Sequence, residues 1–240
     1  MATYPRYVLI ADGCTFHLTW RCHNRAWLLQ EPWAKQAYYD LLCRYKDRYH
    51  IAIHSYDLMD NHPHLTGTIL GTKEELSAFM RTVNGVFARQ LNRRLQREGQ
   101  VVMDRFKSPL IQDDATHLHV MAYGNLNPVR ARMVPHIKDY QWTSYHYYAN
   151  GRPDPLITPA PAYLALGTTD GARQQAYRAM IDELVAAEDA WPASGYTQQA
   201  FLGDPHWVHD RYAALQSYRA AKCARVQRQA HKTAYQLAPP

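Results

Sequence analysis

Two strand-like segments joined by a short polar turn, each followed or preceded by a helical segment, constrain the fold of this chain most strongly. Residues 50–59 (HIAIHSYDLM) and 62–70 (HPHLTGTIL) read as strands, and Asp60-Asn61 between them suits a tight turn. Apolar residues at helical spacing run from Pro32 to about Arg48 and from Lys73 to about Gln96, where Gly99 follows as a stop. The two strands should therefore pair as an antiparallel hairpin between two helices.

Further elements on both sides of the hairpin complete the arrangement. Residues 14–22 alternate as a first strand, and residues 106–111 as a short last one. Asp113 or Asp114 can cap a helix running to about Leu126, where Asn127-Pro128 is expected to stop it. The order predicts an α+β fold, a ferredoxin-like split βαβ antiparallel sheet with one helix added. Such a fold hosts too many functions to indicate one.

Length and composition indicate a globular protein with an additional C-terminal part. The chain has 240 residues, of which 47% are hydrophobic, and it has no apolar run near the roughly 20 residues that span a bilayer. A proline-rich break after residue 150 separates an expected domain, 1–150, from a helical extension, 151–240. No signal-peptide pattern opens the chain, and its four cysteines are scattered, so we expect a cytoplasmic protein with reduced thiols and no membrane partner.

The histidines of the predicted third strand, residues 62–70, are the first candidates for chemistry. His62 and His64 are two residues apart on a strand, so they face the same way and could bind one metal ion together. From spacing alone, an idle pair is as good an interpretation. His117 and His119 have the same spacing in a predicted helix, where they point apart, so we expect them to be surface or packing residues.

Tyr123 and Asn127 are the second candidates. They are four residues apart near the end of the last predicted helix and therefore share a face. Spacing alone favours ordinary packing for the tyrosine and a helix stop for the Asn-Pro pair.

A resemblance changes this balance. Residues 60–65 (DNHPHL) resemble the HUH motif of single-tyrosine transposases of the insertion-sequence type, and most of all their REP-associated tyrosine transposase branch. Four further stretches resemble the same proteins, in order along residues 1 to about 150: 15–25 (TFHLTWRCHNR), 105–108 (RFKS), 123–131 (YGNLNPVRA) and 142–145 (WTSY). A weaker likeness continues at residues 196–203.

The resemblance implies an enzyme that cleaves and joins single-stranded, hairpin-forming DNA through a 5′-phosphotyrosine intermediate. Carried over by motif, His62, His64 and Asn127 would bind Mg²⁺ or Mn²⁺, and Tyr123, on the added helix, would be the nucleophile. Since a metal binds neutral imidazole, activity should fall as the pH drops through the histidine pKa. Two alternatives stay open: a catalytically decayed relative that only binds hairpin DNA, and an unrelated metallohydrolase with a water nucleophile.

Two residues depart from the family pattern. Pro63 stands where a bulky apolar residue is more common, and proline cannot donate to a sheet ladder, so it indicates either a bulge or an N–H that needs no partner. Gly124 stands where a larger apolar residue is expected, and it indicates either a looser helix around Tyr123 or a decayed site. A homodimer would let Tyr123 act in its partner's site, whereas a monomer would use it in its own.

Basic residues indicate where DNA would bind. The net charge is +6, and much of the positive charge lies in the middle of the chain. A solvated face would explain such a stripe in an arbitrary protein; here a phosphate-contacting surface is favoured. Its expected members are Arg89, Arg93, Arg94, Arg97, Arg105 and Lys107, with Arg130 as a further DNA contact or a helix cap. The basic stretch from Arg219 to Lys232 is equally a solvated helix end or a DNA clamp.

Overall fold

A five-stranded sheet forms the centre of the first of two compact units, the one that extends to Leu202. The computed structural model describes residues 10–187, 196 and 199–236. The sheet order is β2-β3-β1-β4-β5, with β1, β2, β3 and β4 antiparallel to their neighbours and β5 parallel to β4. The strands are β1 (Thr15–Thr19), β2 (Ile51–Leu58), β3 (Pro63–Ile69), β4 (Leu110–Ile111) and β5 (Phe201–Leu202).

Helices connect and cover these strands, and each of the first three begins as its sequence predicts. Pro32 occupies the first turn of α1, a capping box of Thr72 and Glu75 opens α2, and the Asp113 side chain accepts a hydrogen bond from the Thr116 N–H to open α3. The helices are α1 (Pro32–Lys46), α2 (Lys73–Arg94), α3 (Asp114–Arg130), α4 (Tyr145–Asn150), α5 (Pro161–Leu164), α6 (Asp170–Ala186) and α7 (Pro205–Gln236).

The order and pairing of these elements confirm the ferredoxin-like prediction. β1 pairs with β3 and β4, so that each βαβ unit is split by a strand between its two partners. β5 adds a fifth strand that the sequence did not indicate.

The two faces of the sheet differ in polarity. Phe16 and Leu18 are fully buried on one face, near the aromatic cluster in which Trp20 Nε1 donates to the Tyr38 hydroxyl across 2.7 Å. The residues that alternate with them, His17 and Thr19, are also buried but polar. The opposite positions on β3 continue this polar face, which α3 covers: His64, Thr66 and Thr68. A buried polar face is expensive unless its groups are hydrogen-bonded, so it marks the place to look for function.

One predicted helix end was wrong, and another was close to the observed one. α3 continues through Pro128 to Arg130, because a proline in the last turn removes only one helical hydrogen bond, and the Ala131 N–H still bonds to the Asn127 carbonyl at 2.8 Å. α2 ends at Arg94, close to the predicted end at about Gln96, and Gln96 takes a left-handed conformation with φ of 48° ahead of Gly99. The correction to α3 places Asn127 inside the same helix as Tyr123.

The C-terminal part falls into two pieces. The first compact unit extends to Leu202 and includes α4, α5 and α6, while the second begins at Gly203 and contains α7. The division at residue 150 therefore stays a prediction about folding units. The side chains of the basic stretch from Arg219 to Lys232 lie mostly outside the described residues. None of the helices that the structure describes is both long and apolar enough to cross a membrane.

Candidate active site

His62 and His64, called the HxH pair below, lie next to each other at the start of β3. His64 is buried, with 4% of its surface exposed, and lies on the polar face of the sheet, whereas His62 precedes the strand by one residue. Their ring centroids are 4.8 Å apart, with the ring planes at 71°. Burial lowers the pKa of His62 to about 4 and that of His64 well below its usual value. Both rings are therefore neutral near pH 7, as metal binding requires.

Pro63 is compatible with this arrangement. It is the first residue of β3, a position where proline is tolerated, and it pairs with Leu58. The Leu58 N–H bonds instead to the Trp142 carbonyl, and on the other side β1 ends at Thr19, opposite His64. The position where Pro63 lacks an N–H therefore lies beyond the end of the ladder between β1 and β3, so no hydrogen bond of that ladder is lost. The bulge between β2 and β3 lies elsewhere, between Ile53 and Ser55.

Tyr123 lies beside His64. The two rings meet edge to face, with centroids 6.3 Å apart, and Tyr123 is 4% exposed. The Arg130 guanidinium stands 4.8 Å over the Tyr123 ring and donates to the Tyr123 carbonyl oxygen at 3.2 Å. Burial raises the pKa of the Tyr123 hydroxyl, and the nearby positive charge of Arg130 opposes that rise. Arg130, expected at the DNA surface or as a cap, thus lies directly against the candidate nucleophile.

Tyr196 also packs against Tyr123, a neighbour that the sequence analysis did not predict. Its ring centroid is 4.6 Å from that of Tyr123. Burial raises the pKa of Tyr196 to about 12. Only the weak likeness at residues 196–203 could have drawn attention to it.

Close packing against Asp57 explains why a glycine occupies position 124. A Cβ atom built on Gly124 would lie 2.7 Å from Oδ2 of Asp57, a fully buried carboxyl group. Asp57 Oδ1 accepts hydrogen bonds from the Thr143 hydroxyl at 2.6 Å and from Asn125 Nδ2 at 3.1 Å, and Asn125 Oδ1 accepts one from the Tyr177 hydroxyl. This glycine lets α3 approach β2 closely, which argues against both a loosened helix and decay as its explanation.

Asn127 carries an unusual amide. It lies one turn after Tyr123 on α3, and its side-chain Nδ2 is buried without a hydrogen-bond partner among the described residues. Orphaned amides of this kind are uncommon in folded proteins and call for an explanation. If the amide turned over, its oxygen would occupy that position and could accept a cation without breaking a hydrogen bond.

The sequence analysis did not single out His17, although it lies in the stretch 15–25. It is 1% exposed, its Nδ1 lies 3.0 Å from the Tyr196 carbonyl oxygen, and its Nε2 lies 3.0 Å from His64 Nδ1. Burial lowers its pKa to about 4. The alternation of β1 could have found it, because His17 occupies the same sheet face as His64.

The side chains present fit a small divalent ion. The neutral imidazoles of His62 and His64 offer nitrogen donors, and the amide of Asn127, one turn after Tyr123, offers an oxygen donor if it turns over. Within the described part of the chain, no three or more His, Cys, Asp or Glu residues form a metal-binding group, so any site here needs an amide or external ligands.

His117 and His119 behave as the spacing argument predicted. His117 is buried, and its Nε2 is 3.0 Å from the Thr66 hydroxyl, while its ring packs edge to face on that of His54. His119 is exposed. The same spacing that brings His62 and His64 together at the start of β3 separates this pair on a helix.

The proposed phosphate-contacting residues divide into two groups. Arg94 stacks over the Trp33 ring at 4.4 Å, and Arg97 donates to Asn92 Oδ1 and to the Gln100 carbonyl oxygen. The others have exposed side chains: Arg89, Arg93, Arg105 and Lys107. These four are the better placed to reach a polyanion.

Comparison with known proteins agrees with the geometry. No protein of curated function matches the chain. A solved REP-associated tyrosine transposase bound to a REP hairpin shares 20% identity, covers 67% of this chain and 93% of its own, and has a TM-score of 0.52, which supports the fold. A candidate transposase from Deinococcus radiodurans R1 shares 13% identity over 58% of this chain and 97% of its own, with a TM-score of 0.35. Residues 11–123 match the profile of the family described as "Transposase IS200 like". Over these residues, slightly less than half of the chain, the protein is similar to the IS200-like transposases.

Proposed function

We propose that this protein cleaves and rejoins single-stranded, hairpin-forming DNA through a covalent phosphotyrosine intermediate on Tyr123. One observation carries the proposal: in a chain similar to the IS200-like transposases, α3 sets Tyr123 edge to face on His64, the second histidine of the HxH pair. The proposal also places the protein in the REP-associated branch, where the sequence motifs are most similar, and in the cytoplasm, where chromosomal DNA is reached.

His62, His64 and Asn127 would hold the metal ion, Mg²⁺ or Mn²⁺. When bound, such an ion polarises a phosphate oxygen and stabilises charge on a leaving oxygen. The neutral state of both imidazoles and the unsatisfied amide of Asn127 support these three residues as ligands.

Tyr123 would supply the nucleophilic oxygen. Its hydroxyl attacks the phosphorus of a phosphodiester and loses its proton, the P–O3′ bond breaks, and the 3′ oxygen leaves as a hydroxyl group. Because one phosphodiester replaces another, the bond energy is kept, and rejoining can run as the reverse reaction. Arg130 favours the ionised tyrosine, since its guanidinium lies against the ring, and this partly opposes the effect of burial.

A DNA hairpin is the proposed partner. The REP-associated transposase of similar fold was solved with a REP hairpin. In this protein, the exposed side chains of Arg89, Arg93, Arg105 and Lys107 would contact phosphates without reading sequence.

A mixing experiment tests whether Tyr123 acts within its own chain or in the site of a partner chain in a homodimer. Two inactive variants are mixed, one lacking Tyr123 and the other lacking His64. Restored cleavage in the mixture would require a dimer with exchanged helices.

A binding protein without activity is the second candidate function. Pro63 and Gly124 were the residues that favoured decay, and both have structural reasons in this fold. The specific observation that still favours it is the Tyr196 ring, which packs against the ring of Tyr123 at a tilt of 37° and covers part of the candidate nucleophile.

A labelled single-stranded hairpin incubated with the protein and Mn²⁺ tests the proposal. We expect a denaturant-resistant protein–DNA adduct from the native protein and from Tyr45→Phe, a tyrosine control outside the site, and none from Tyr123→Phe, which should still bind the hairpin. Binding without cleavage by the native protein would establish the second candidate function. Cleavage without an adduct would indicate a water nucleophile.

A further inference from the structure

A chain of two hydrogen bonds connects Tyr196, near the end of the first unit, to the candidate metal site. The Tyr196 carbonyl oxygen, the His17 ring and the His64 ring are joined by two hydrogen bonds of 3.0 Å each. The planes of the His17 and His64 rings are nearly parallel, at 8°, and the ring centroids are 5.2 Å apart, as an in-plane ring-to-ring hydrogen bond of 3.0 Å requires. Both rings are almost wholly buried, so water does not compete for these bonds.

The carbonyl fixes the position of each hydrogen along this chain of hydrogen bonds. A carbonyl oxygen can only accept, so His17 Nδ1 must carry the hydrogen that it donates. In a neutral imidazole, Nε2 is then unprotonated and can only accept. The hydrogen of the second bond therefore belongs to His64 Nδ1, and the one lone pair left on the His64 ring lies on Nε2. His17 is 1% exposed, and burial disfavours the charged imidazolium form.

Asn61 does the same for the other histidine. Its Nδ2 donates to the Arg25 carbonyl at 3.4 Å, which leaves Oδ1 facing His62 Nδ1 at 2.6 Å. An amide oxygen only accepts, so His62 Nδ1 carries the hydrogen and its Nε2 carries the lone pair. Two unrelated hydrogen bonds thus prepare both rings in the same tautomer.

We propose that His17 is a positioning residue that holds His64 in the Nδ1–H tautomer and directs the His64 Nε2 lone pair to the metal. The proposal deepens the function proposed above and rests on it for the identity of the ligand. A partner on the far nitrogen of a metal-binding histidine orients the ring and increases its basicity. His17 is not itself a third ligand, because both of its nitrogens are engaged by Tyr196 and His64.

The tautomer can be measured in the native, metal-free protein. Long-range ¹H–¹⁵N correlation spectra at pH 7.5 distinguish a protonated from an unprotonated ring nitrogen, and comparison with His64→Ala assigns the His64 signals among the 13 histidines. We expect His64 to have a protonated Nδ1 and an unprotonated Nε2. The opposite tautomer, or an even mixture of both, would overturn the proposal.

Variants at His17 then separate positioning from folding. His17→Gln can still present an oxygen to the His64 Nδ1–H, whereas His17→Phe fills the space without an acceptor. We expect His17→Phe to lose the single tautomer and to bind Mn²⁺ about 10–100-fold more weakly, and His17→Gln to keep most of the affinity. His117→Phe, which also replaces a buried hydrogen-bonded histidine, should bind Mn²⁺ as the native protein does.

Native-like Mn²⁺ affinity in folded His17→Phe would overturn the proposal, as would equal weakening in His117→Phe. Should His17→Phe not fold, the native tautomer and the His17→Gln affinity decide. The proposal and the function fail separately. The expected tautomer without any DNA adduct leaves the positioning role intact and removes the activity, while an adduct with the wrong tautomer does the reverse.

Discussion

Gly124 lies so close to Asp57 that a Cβ atom added to the glycine would be only 2.7 Å from Oδ2 of the Asp57 carboxyl group. This approach sets α3 against β2, and the residue before Gly124 is the candidate nucleophile. The carboxyl group cannot easily move aside, because Thr143 and Asn125 hydrogen-bond to it and it is fully buried. The position of Tyr123 next to His64 therefore depends on a glycine that would otherwise weaken the helix.

Gly124→Ala should lower the free energy of unfolding. Alanine favours a helix over glycine by about 1 kcal/mol, but overpacking a buried site typically costs about 1–3 kcal/mol. Because Asp57 is held in place, we expect the second effect to win, with a net loss of about 1 kcal/mol. Urea denaturation measures it.

Gly85→Ala on α2 is the matched control for this change. The nearest atom to an added carbon there is Arg89 Nη1 at 3.7 Å, an ordinary van der Waals distance, so only the helix preference should act and the variant should gain stability. If both variants were stabilised, the close approach of α3 to β2 would not restrict the residue at 124.

Replacement by alanine should lower the stability of the protein at Asn125 and its Mn²⁺ affinity at Asn127. Asn125→Ala removes one of the two side-chain donors to the buried Asp57 and the acceptor of the Tyr177 hydroxyl, so it should lose about 1–3 kcal/mol of unfolding free energy. Asn127→Ala removes an amide nitrogen that has no partner within the described structure, so we expect little change in stability but weaker Mn²⁺ binding in calorimetry. A large stability loss with unchanged Mn²⁺ affinity in Asn127→Ala would contradict its role as a ligand.

Stability should fall as the pH decreases from about 6.5 to about 4. His17 and His62 have folded-state pKa values lowered to about 4, and that of His117 is lowered to about 3, all by burial. The unfolded chain binds protons at these histidines near pH 6.5 while the folded chain does not, so acid favours unfolding. The raised pKa of Asp57 acts in the opposite direction, but it is one group against several.

Denaturation midpoints at pH 7.5, 6.5, 5.5 and 4.5 measure this dependence. His117→Phe removes one of the histidines and should flatten the pH dependence by up to about 1.4 kcal/mol per pH unit. A native protein equally stable at pH 6.5 and 4.5 would show that these histidines are not held neutral by the fold. The same values imply that loss of metal binding in acid starts well below the ordinary histidine pKa.

Charge reversal on α2 should lower the affinity for the DNA hairpin and make this affinity less sensitive to the salt concentration. Arg89→Glu with Arg93→Glu removes two exposed phosphate-binding candidates one turn apart. The slope of log Kd against log salt should decrease by about 1 for each phosphate that is no longer neutralised. Arg44→Glu with Arg48→Glu makes the same change in net charge elsewhere. Equal effects of the two pairs would mean that net charge, and not this face, governs binding.

The strand-and-helix order was predictable because each element carries its own period and its own start signal, as at Pro32, Thr72 and Asp113. The two-residue strand β4 and the added β5 carry too little pattern for their bounds to be read, and Pro128 reads as a stop although the last helical turn tolerates it. The family motifs led to His62, His64, Tyr123 and Asn127. His17 and Tyr196 act through contacts between residues far apart in sequence, which no local spacing encodes. Arg130 was expected at the DNA or as a cap, and its contact with Tyr123, two turns earlier on the same helix, was not predicted.

The identity of the residue that carries the DNA tests the proposed chemistry most directly. The adduct formed with a short hairpin substrate would be digested with nuclease and trypsin and read by tandem mass spectrometry. Trypsin places Tyr123 in the peptide 108–130 and Tyr196 in the peptide 179–211. We predict a nucleotide phosphate on Tyr123 in the first peptide. A nucleotide on Tyr196, or on neither peptide despite cleavage, would contradict the assignment of Tyr123 as the nucleophile.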